Sequence, residues 1–329
     1  MKQPYKRLLG KGLLAIAAGM LTSASALAQN FPNQPMRWII PYAPGGTTDI
    51  MARTLAAKMS KDMGQTIVAE NRPGAASSIG ATAIARSAPD GYTFGTVDSG
   101  TLAFNPWLYK NLTYNAEKDF TLIGGLGKMP LVLAVSPNFP AKNLKEFLEL
   151  VRKQPGKISS ASSGLGSPLH VALELFKQKT GTNILHVPYK GSAPALQDLM
   201  SGQVDSIFVD LPPSLAFIRS GNVRVLAVAA PERLAVLPDV PTMAEAGLEG
   251  FEANAWQVLV GPDKIPSNIV SILNKQLLEA QNDPETRKKL EDLGIIPLTM
   301  SPEVLTKFVR SEQKLWADVI KAAGIQPQD

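Results

Sequence analysis

Short apolar runs of strand length alternate with longer segments of helical periodicity from about residue 37 almost to the end of the chain, and this alternation dictates an α/β architecture with largely parallel sheets. A strand over 37–41 (RWIIP) leads into the loop Tyr42-Ala43-Pro44-Gly45-Gly46-Thr47-Thr48. A helix over about 49–63 follows, with Ile50, Leu55 and Met59 on its apolar face and Gly64 as its stop. A strand over 66–69, a helix after Gly74 and a strand over 92–97 complete a first run of βαβ units.

A second run begins near Pro130. Asn143, with Glu146 three residues later, reads as a capping box for a helix that buries Leu144, Phe147, Leu148 and Val151 and ends at Pro155-Gly156. A strand over 157–161 feeds the loop Ser162-Ser163-Gly164-Leu165-Gly166-Ser167, and Pro168 occupies the first turn of a helix that stops at Gly181. Strands over 184–187, 204–209 and 223–229 alternate with further helices. Two strand-like stretches, 131–136 (LVLAVS) and 255–261 (AWQVLVG), read as crossings between domains, with Trp256 in hinge or core. Helical segments over 267–282, 284–293 and 302–323 then return to the first domain. The expected organisation is lobe 1 over 29–130 and 256–329, lobe 2 over 131–255, and a two-strand hinge.

Residues 1–28 have the order of a secretory leader. A basic start (Lys2, Lys6, Arg7, Lys11) precedes an apolar run over 12–21 and the small-residue tail Ala26-Leu27-Ala28, which places the cut before Gln29 and the mature chain outside the cytoplasm. The apolar run is shorter than the roughly 20 residues of a membrane span. Four of the 33 basic residues lie in this leader, so the formal charge of +5 falls to 29 basic against 28 acidic residues in the mature chain. A near-neutral chain lacks the basic footprint of a nucleic-acid binder. With no cysteine there is no disulfide, thiol nucleophile or lipid anchor. The two histidines, His170 and His186, have no partner at metal-motif spacing, and neither a metal nor another cofactor is expected.

The chemistry concentrates in two loops. Pro44-Gly45-Gly46-Thr47-Thr48-Asp49 and Ser162 to Ser167 each place glycines and hydroxyls just before a helix start, where unpaired N–H groups carry partial positive charge. Either loop alone reads equally as a tight strand-to-helix turn. Two of them, one per lobe and both at strand C-termini, favour an anion site. Neither has a dinucleotide or P-loop glycine pattern. A carboxylate needs only a few convergent N–H and hydroxyl donors.

Catalysis finds little support, because there is no G-x-S-x-G elbow and Ser167 is followed by Pro168 rather than a base. His170 reads as closing a turn or touching ligand, Asp49 as a cap, and Asp210 as either a cleft contact or a helix cap. Further cleft candidates are Asp98-Ser99-Gly100-Thr101 and Tyr189-Lys190-Gly191-Ser192, where Tyr189 either meets ligand or is packed. Phe104 and Trp107 are two more aromatic residues with an open relation to the pocket.

Five segments then occur in order along nearly the whole mature chain: Pro41 to Asp49; Glu70-Asn71-Arg72-Pro73-Gly74-Ala75; Ser163-Gly164-Leu165-Gly166-Ser167 with His170; Val187-Pro188-Tyr189-Lys190-Gly191; and Leu237-Pro238-Asp239-Val240-Pro241-Thr242 followed by Glu245-Ala246-Gly247. Together they resemble the periplasmic solute receptors of tripartite tricarboxylate transporters, the Bug proteins. The resemblance implies a two-lobed type II periplasmic binding-protein fold, a mostly parallel sheet in each lobe, and closure over a small organic acid. It implies that the loops over 42–49 and 162–167 pinch a ligand carboxylate, partly through ordered water. The expected ligand set is Tyr42, Ala43, Pro44, Gly45, Gly46, Thr47, Thr48, Asp49, Ser99, Thr101, Ser162, Ser163, Gly164, Gly166, Ser167, His170, Tyr189, Gly191 and Asp210. The implied partners are the large and small subunits of a membrane transporter, met by a monomeric receptor. A sensor that presents its ligand to a membrane receptor kinase and an exported hydrolase are the competing functions. One departure stands out: where the family continues Gly74-Ala75 with a further glycine pair, this chain has Ala76-Ser77-Ser78.

Overall fold

The computed structural model describes residues 31–165, 167–189 and 191–327, so the leader expected over 1–28 lies outside the described residues. The first βαβ run forms as the alternation predicts. Strand β1 (Met36–Ile40) pairs in parallel with β2 (Ile67–Asn71) on one side and β3 (Thr93–Asp98) on the other. Trp38 anchors this trio: its indole N–H donates to Thr96 Oγ1 at 2.9 Å and its ring meets Phe94 edge-on at 5.5 Å. Helix α1 (Thr47–Met63) covers the sheet with Met51, Leu55 and Met59, four residues apart on one face. Ile50, expected on that face, is instead exposed, because the stripe through Met51 already meets the sheet and residue 50 is turned about 100° from it.

Helix α2 (Ser78–Ala85), a π-helical turn (Gly100–Phe104) and α3 (Asn105–Leu108) complete this part before β4 (Phe120–Val135), a strand of 16 residues. The second series runs α4 (Leu144–Lys153), β5 (Ser159–Ser162), α5 (Pro168–Thr180), β6 (Leu185–Pro188), α6 (Ser192–Ser201), β7 (Ser206–Asp210), α7 (Leu211–Arg219) and β8 (Arg224–Val228). The cap expected at α4 forms, with the Glu146 amide donating to Asn143 Oδ1 at 2.9 Å, but the return bond is shifted by one residue: Glu146 Oε2 accepts from the Lys142 amide at 2.7 Å rather than from that of Asn143. Strand β9 (Asn254–Pro262) then leads into α8 (Ser267–Asn282), α9 (Pro284–Glu291), β10 (Ile296–Pro297) and α10 (Pro302–Ala322). None of the described helices is long and apolar enough to cross a membrane.

The parallel sets β2-β1-β3 and β6-β5-β7 are joined by antiparallel strands, so the sheets are mixed. β4 pairs with β9 over Phe120 to Pro130, and with β7 and β8 over Leu131 to Val135. The reason is directional. The parallel strands end at the cleft, whereas a strand that enters a lobe through the cleft runs away from it, so β4 opposes β7, and β9 opposes β3. Only the second half of β4 is legible as a strand. Its first half carries Gly124, Gly125 and Gly127 at two register shifts, because neighbouring chain lies too close for side chains: a Cβ on Gly125 would sit 2.1 Å from the Leu298 carbonyl oxygen. α10 seals the back of the crossing. Its Glu312 accepts from the indoles of Trp256 (2.7 Å) and Trp316 (3.0 Å), and the Val319 carbonyl accepts from Gln178 of α5 at 3.1 Å. Trp256 is thus fully buried core.

The departure after Gly74 has a backbone consequence. Ala75, Ala76 and Ser77 all have positive φ (46°, 48° and 71°), a region costly for any residue with a Cβ. Ser77 Oγ lies 2.8 Å from Thr101 Oγ1, and the Asn105 amide donates to the Ala76 carbonyl at 3.0 Å, which holds the loop in place. Ala76 is exposed and held at φ 48°, so Ala76→Gly, which relieves that conformation, should raise stability by about 1 kcal/mol. Ala52→Gly, inside α1, should lower it by about 1 kcal/mol or more. Urea unfolding of the two variants checks the opposite signs.

Candidate functional site

Strands β1, β3, β5, β6 and β7 direct their C-terminal ends toward one cavity of about 370 Å³, walled by Tyr42, Gly46, Thr47, Thr48 and Asp98 on one side and Ser163, Pro168, Leu169, Ser192, Asp210 and Pro213 on the other. The starts of α1, α5, α6 and α7 therefore all face it with the positive ends of their dipoles, although Pro168 in α5 and Pro212-Pro213 in α7 contribute no N–H, so the backbone donors come mainly from the starts of α1 and α6. Met129, Ala255 and Gln257 of the crossing strands complete the wall. Two larger hollows of about 800 and 670 Å³ lie along α10, away from these strand ends.

The first loop is held by Asp49, buried at the third position of α1. Its carboxylate accepts from the Gly45 amide (2.9 Å), Arg53 Nε (2.9 Å) and Asn71 Nδ2 (2.8 Å), while the same Asn71 amide donates to the Tyr42 carbonyl at 3.0 Å. Burial alone raises its pKa, but the Gly45, Asn71 and Arg53 bonds prevail and hold it below the usual carboxylate value. Gly45 turns the chain at φ 85°, a conformation that suits glycine. Asp49 thus positions the loop, whereas Gly46, Thr47 and Thr48 line the cavity; Ala43, Pro44 and Gly45 are exposed and do not.

Asp98, at the end of β3, is the residue of its segment that reaches the cavity. It accepts from the Tyr42 hydroxyl, from the Thr101 amide (2.8 Å) and from Thr101 Oγ1 (2.7 Å). Ser99 and Thr101 are fully buried behind it, Thr101 as its hydrogen-bond donor. Burial, reinforced by Asp98, pushes the Tyr42 phenol well above its ordinary pKa. Gln257 faces Asp98 across the β3–β9 pairing and donates to Thr48 Oγ1 at 2.6 Å. On the opposite lobe Asp210 ends β7; burial and the Asp98 carboxylate push it up to about 6, and its Oδ1 has no hydrogen-bond partner. Its side chain makes no capping bond to α7.

The second loop rests on a histidine pair. Ser162 Oγ is 2.6 Å from His186 Nε2 and is also bonded to the Gly164 amide (3.2 Å) and carbonyl (3.0 Å). The His186 ring stacks on His170 at 3.8 Å, and His170 Nε2 lies 3.6 Å from Glu174, which also pairs with Lys177. Ser162 and His170 are buried behind the loop, and Ser163 is its cavity-facing member. Ser167 accepts from the His170 amide as the cap of α5, Gly164 bridges Ser162, and Tyr189 donates to Asp198 at 2.7 Å, packed rather than lining the cavity. Gly191 caps α6, whose Ser192 reaches the cavity in its place; Gly166 lies outside the described residues. Phe104 packs on Trp316, and Trp107 lies under Lys321, both away from the cavity. Sequence reasoning missed Met129, Pro168, Leu169, Pro213, Ala255 and Gln257 as lining, whereas Asp98 and Ser192 lie in segments it names as cleft candidates; a lone glutamine in the apolar run AWQVLVG is the one signal that pointed to Gln257. Among the described residues no group of three metal-ligating side chains forms a metal site.

A cavity between two sheet systems, walled by helix starts and joined by two crossing strands, defines a two-lobed solute-binding protein. The family model for the tripartite tricarboxylate transporter family receptor matches residues 51–325, and the chain belongs to that family. It is 35% identical to Protein BugT of Bordetella pertussis over 314 residues, 95% of this chain and 96% of that one. Among solved structures, it is similar to Rpa4515 of R. palustris with adipate (35% identity, TM-score 0.82, covering 91% of this chain and 100% of that one). It is also similar to MatC (Rpa3494) of Rhodopseudomonas palustris with bound malate (37% identity, TM-score 0.76, 88% and 100%).

The histidine pair carries a pH signature. Burial, and then the neighbouring His170, push His186 down to about 4, while an unfolded histidine titrates near 6.5. Between those values the unfolded chain binds a proton that the folded chain does not, so stability falls as pH drops through this window and levels off below about 4. Discounted for partial exposure of the ring, the effect is about 1–2 kcal/mol. Urea midpoints measured from pH 7 to pH 4 should fall less steeply in His186→Gln, which retains a donor for Ser162, than in the wild type.

Proposed function

We propose that this chain is an extracytoplasmic receptor that captures a small organic carboxylate between its lobes and hands it, unchanged, to the large and small subunits of a tripartite membrane transporter. The observation that carries this is the convergence of four helix starts, α1 from the first loop's lobe and α5, α6 and α7 from the second, on one cavity of ligand size. Amides and hydroxyls of Gly46, Thr47, Thr48, Ser163 and Ser192 supply donors for a carboxylate, the Thr48 hydroxyl accepting from Gln257 and so directing its own proton elsewhere; Asp49 and the Ser162–His186 contact preorganise the two loops that carry most of them. The adipate and malate held by the two similar proteins support the same ligand class. The leader-like order of residues 1–28 supports a periplasmic site of action. A binding role rather than hydrolysis is supported by the position of Ser162, whose hydroxyl is sealed from the cavity and engaged with the loop backbone. The lobe boundaries near residues 130 and 255 follow the change in partners along β4, and the β4–β9 pair serves as the hinge.

A thermal-shift screen of organic acids tests this. A bound acid at one hundred times its Kd should add about 2.7 kcal/mol, a rise in Tm of about 5 °C. Gly46→Leu places a side chain on the cavity wall at a backbone conformation open to any residue (φ −81°, ψ 172°), so it should fold normally and lose the rise. A full ligand response in Gly46→Leu removes the site from this cavity.

A further inference from the structure

The cavity is electrostatically two-sided. Its helix starts offer donors, but its floor, beside the crossing strands, is built of acceptors. Asp98 accepts from Tyr42 and twice from Thr101, and each of these partners donates, so the carboxylate is held as an acceptor. Asp210 faces it from β7 with Oδ1 buried and unpartnered. Gln257, 4% exposed, lines the same floor, and its Oε1 is also buried without a partner while its amide nitrogen is committed to Thr48. No lysine, arginine or histidine is among the described residues that line the cavity. Lys128, on the neighbouring strand, turns to the opposite face and lies 4.8 Å from the Phe308 ring, while Arg53 is taken by Asp49 and Asn71.

An anionic group on this floor would meet two carboxylates and no described cation. An ammonium group carries three donors and one positive charge, which matches Asp98, Asp210 and the Gln257 carbonyl oxygen. Resting on the receptor function proposed above, we infer that the solute is an amino acid: its carboxylate lies at the helix starts and its protonated amino group lies between Asp98 and Asp210. The floor therefore selects against dicarboxylates, which carry a second negative charge, and against simple monocarboxylates, which leave the acceptors unpaired.

Calorimetric titration with matched six-carbon acids tests the inference: hexanoate, adipate, and the amino acids with the amino group at the α or the ω position, with a four-carbon series alongside. One of the amino acids should bind at least tenfold more tightly than the dicarboxylate and monocarboxylate of its length. Asp210→Asn, which keeps the side-chain volume and removes the charge, should lose that preference by tenfold or more while its unliganded Tm stays at or above the wild-type value. Asp98→Asn provides a second variant with the same expected loss. Tightest binding by a dicarboxylate or a monocarboxylate, or an amino-acid preference unchanged in both variants, overturns the inference and leaves the receptor function standing. Failure of every acid in a broad organic-acid panel instead defeats the receptor function itself.

Discussion

The antiparallel pairing of β4 with β9 is the constraint on which the site depends. Because these are the strands that pass between the two sheet systems, every other strand in each lobe must end beside them for its loop to face the cavity. The same pairing sets the floor. Alternation along β9 turns Ala255 and Gln257 to the cavity and buries Trp256 against α10, where Glu312 binds both Trp256 and Trp316. The glycines of β4 belong to this arrangement as well, since α8 and the segment around Leu298 press on the strand where a Cβ would intrude. A hinge that is close-packed on one side and open on the other favours motion of the lobes as units, with bending at the crossing.

Around that hinge, few groups are left to chance. Asp49 ties Gly45, Arg53 and Asn71 into one unit, and Asn71 extends the tie to the Tyr42 backbone. Thr101 and Tyr42 fix Asp98; Ser162, His186 and His170 support the second loop. These groups sit behind the cavity, and their contribution is to reduce the ordering that a ligand must impose. The acceptors left unpartnered, on Asp210 and Gln257, belong to residues that line the floor. Buried polar atoms are ordinarily satisfied, so their position in the one concave region where strand ends converge gives them functional weight.

Much of the architecture was legible in the chain, for reasons that are local. Proline and glycine punctuation placed Ser267–Asn282, the start at Pro302 and the stops at Gly64 and Gly181. The two loops were legible because glycine, hydroxyl residues and a helix start occur together in sequence. What was not legible depends on contacts between distant residues. The first half of β4 lacks strand-like composition because its glycines answer to packing from other elements. Ser99 and Thr101 were expected to meet ligand, yet the turn after β3 directs them inward and leaves Asp98 at the surface of the cavity. His170 and Ser162 came from the right segments, but the stacked His186, reached through the β5–β6 pairing, draws both behind the loop.

The central claim is that an acid is held between donor loops of two lobes that close on the β4–β9 hinge. The chain has no cysteine, so a single pair of spin labels can be placed without removing native thiols. With labels at Lys61→Cys on α1 and Lys153→Cys on α4, both exposed, electron-electron distance measurements with and without a saturating acid report on closure directly. The account predicts a shift to a shorter, narrower distance distribution on binding. Saturation by an acid with the distribution unchanged would contradict it.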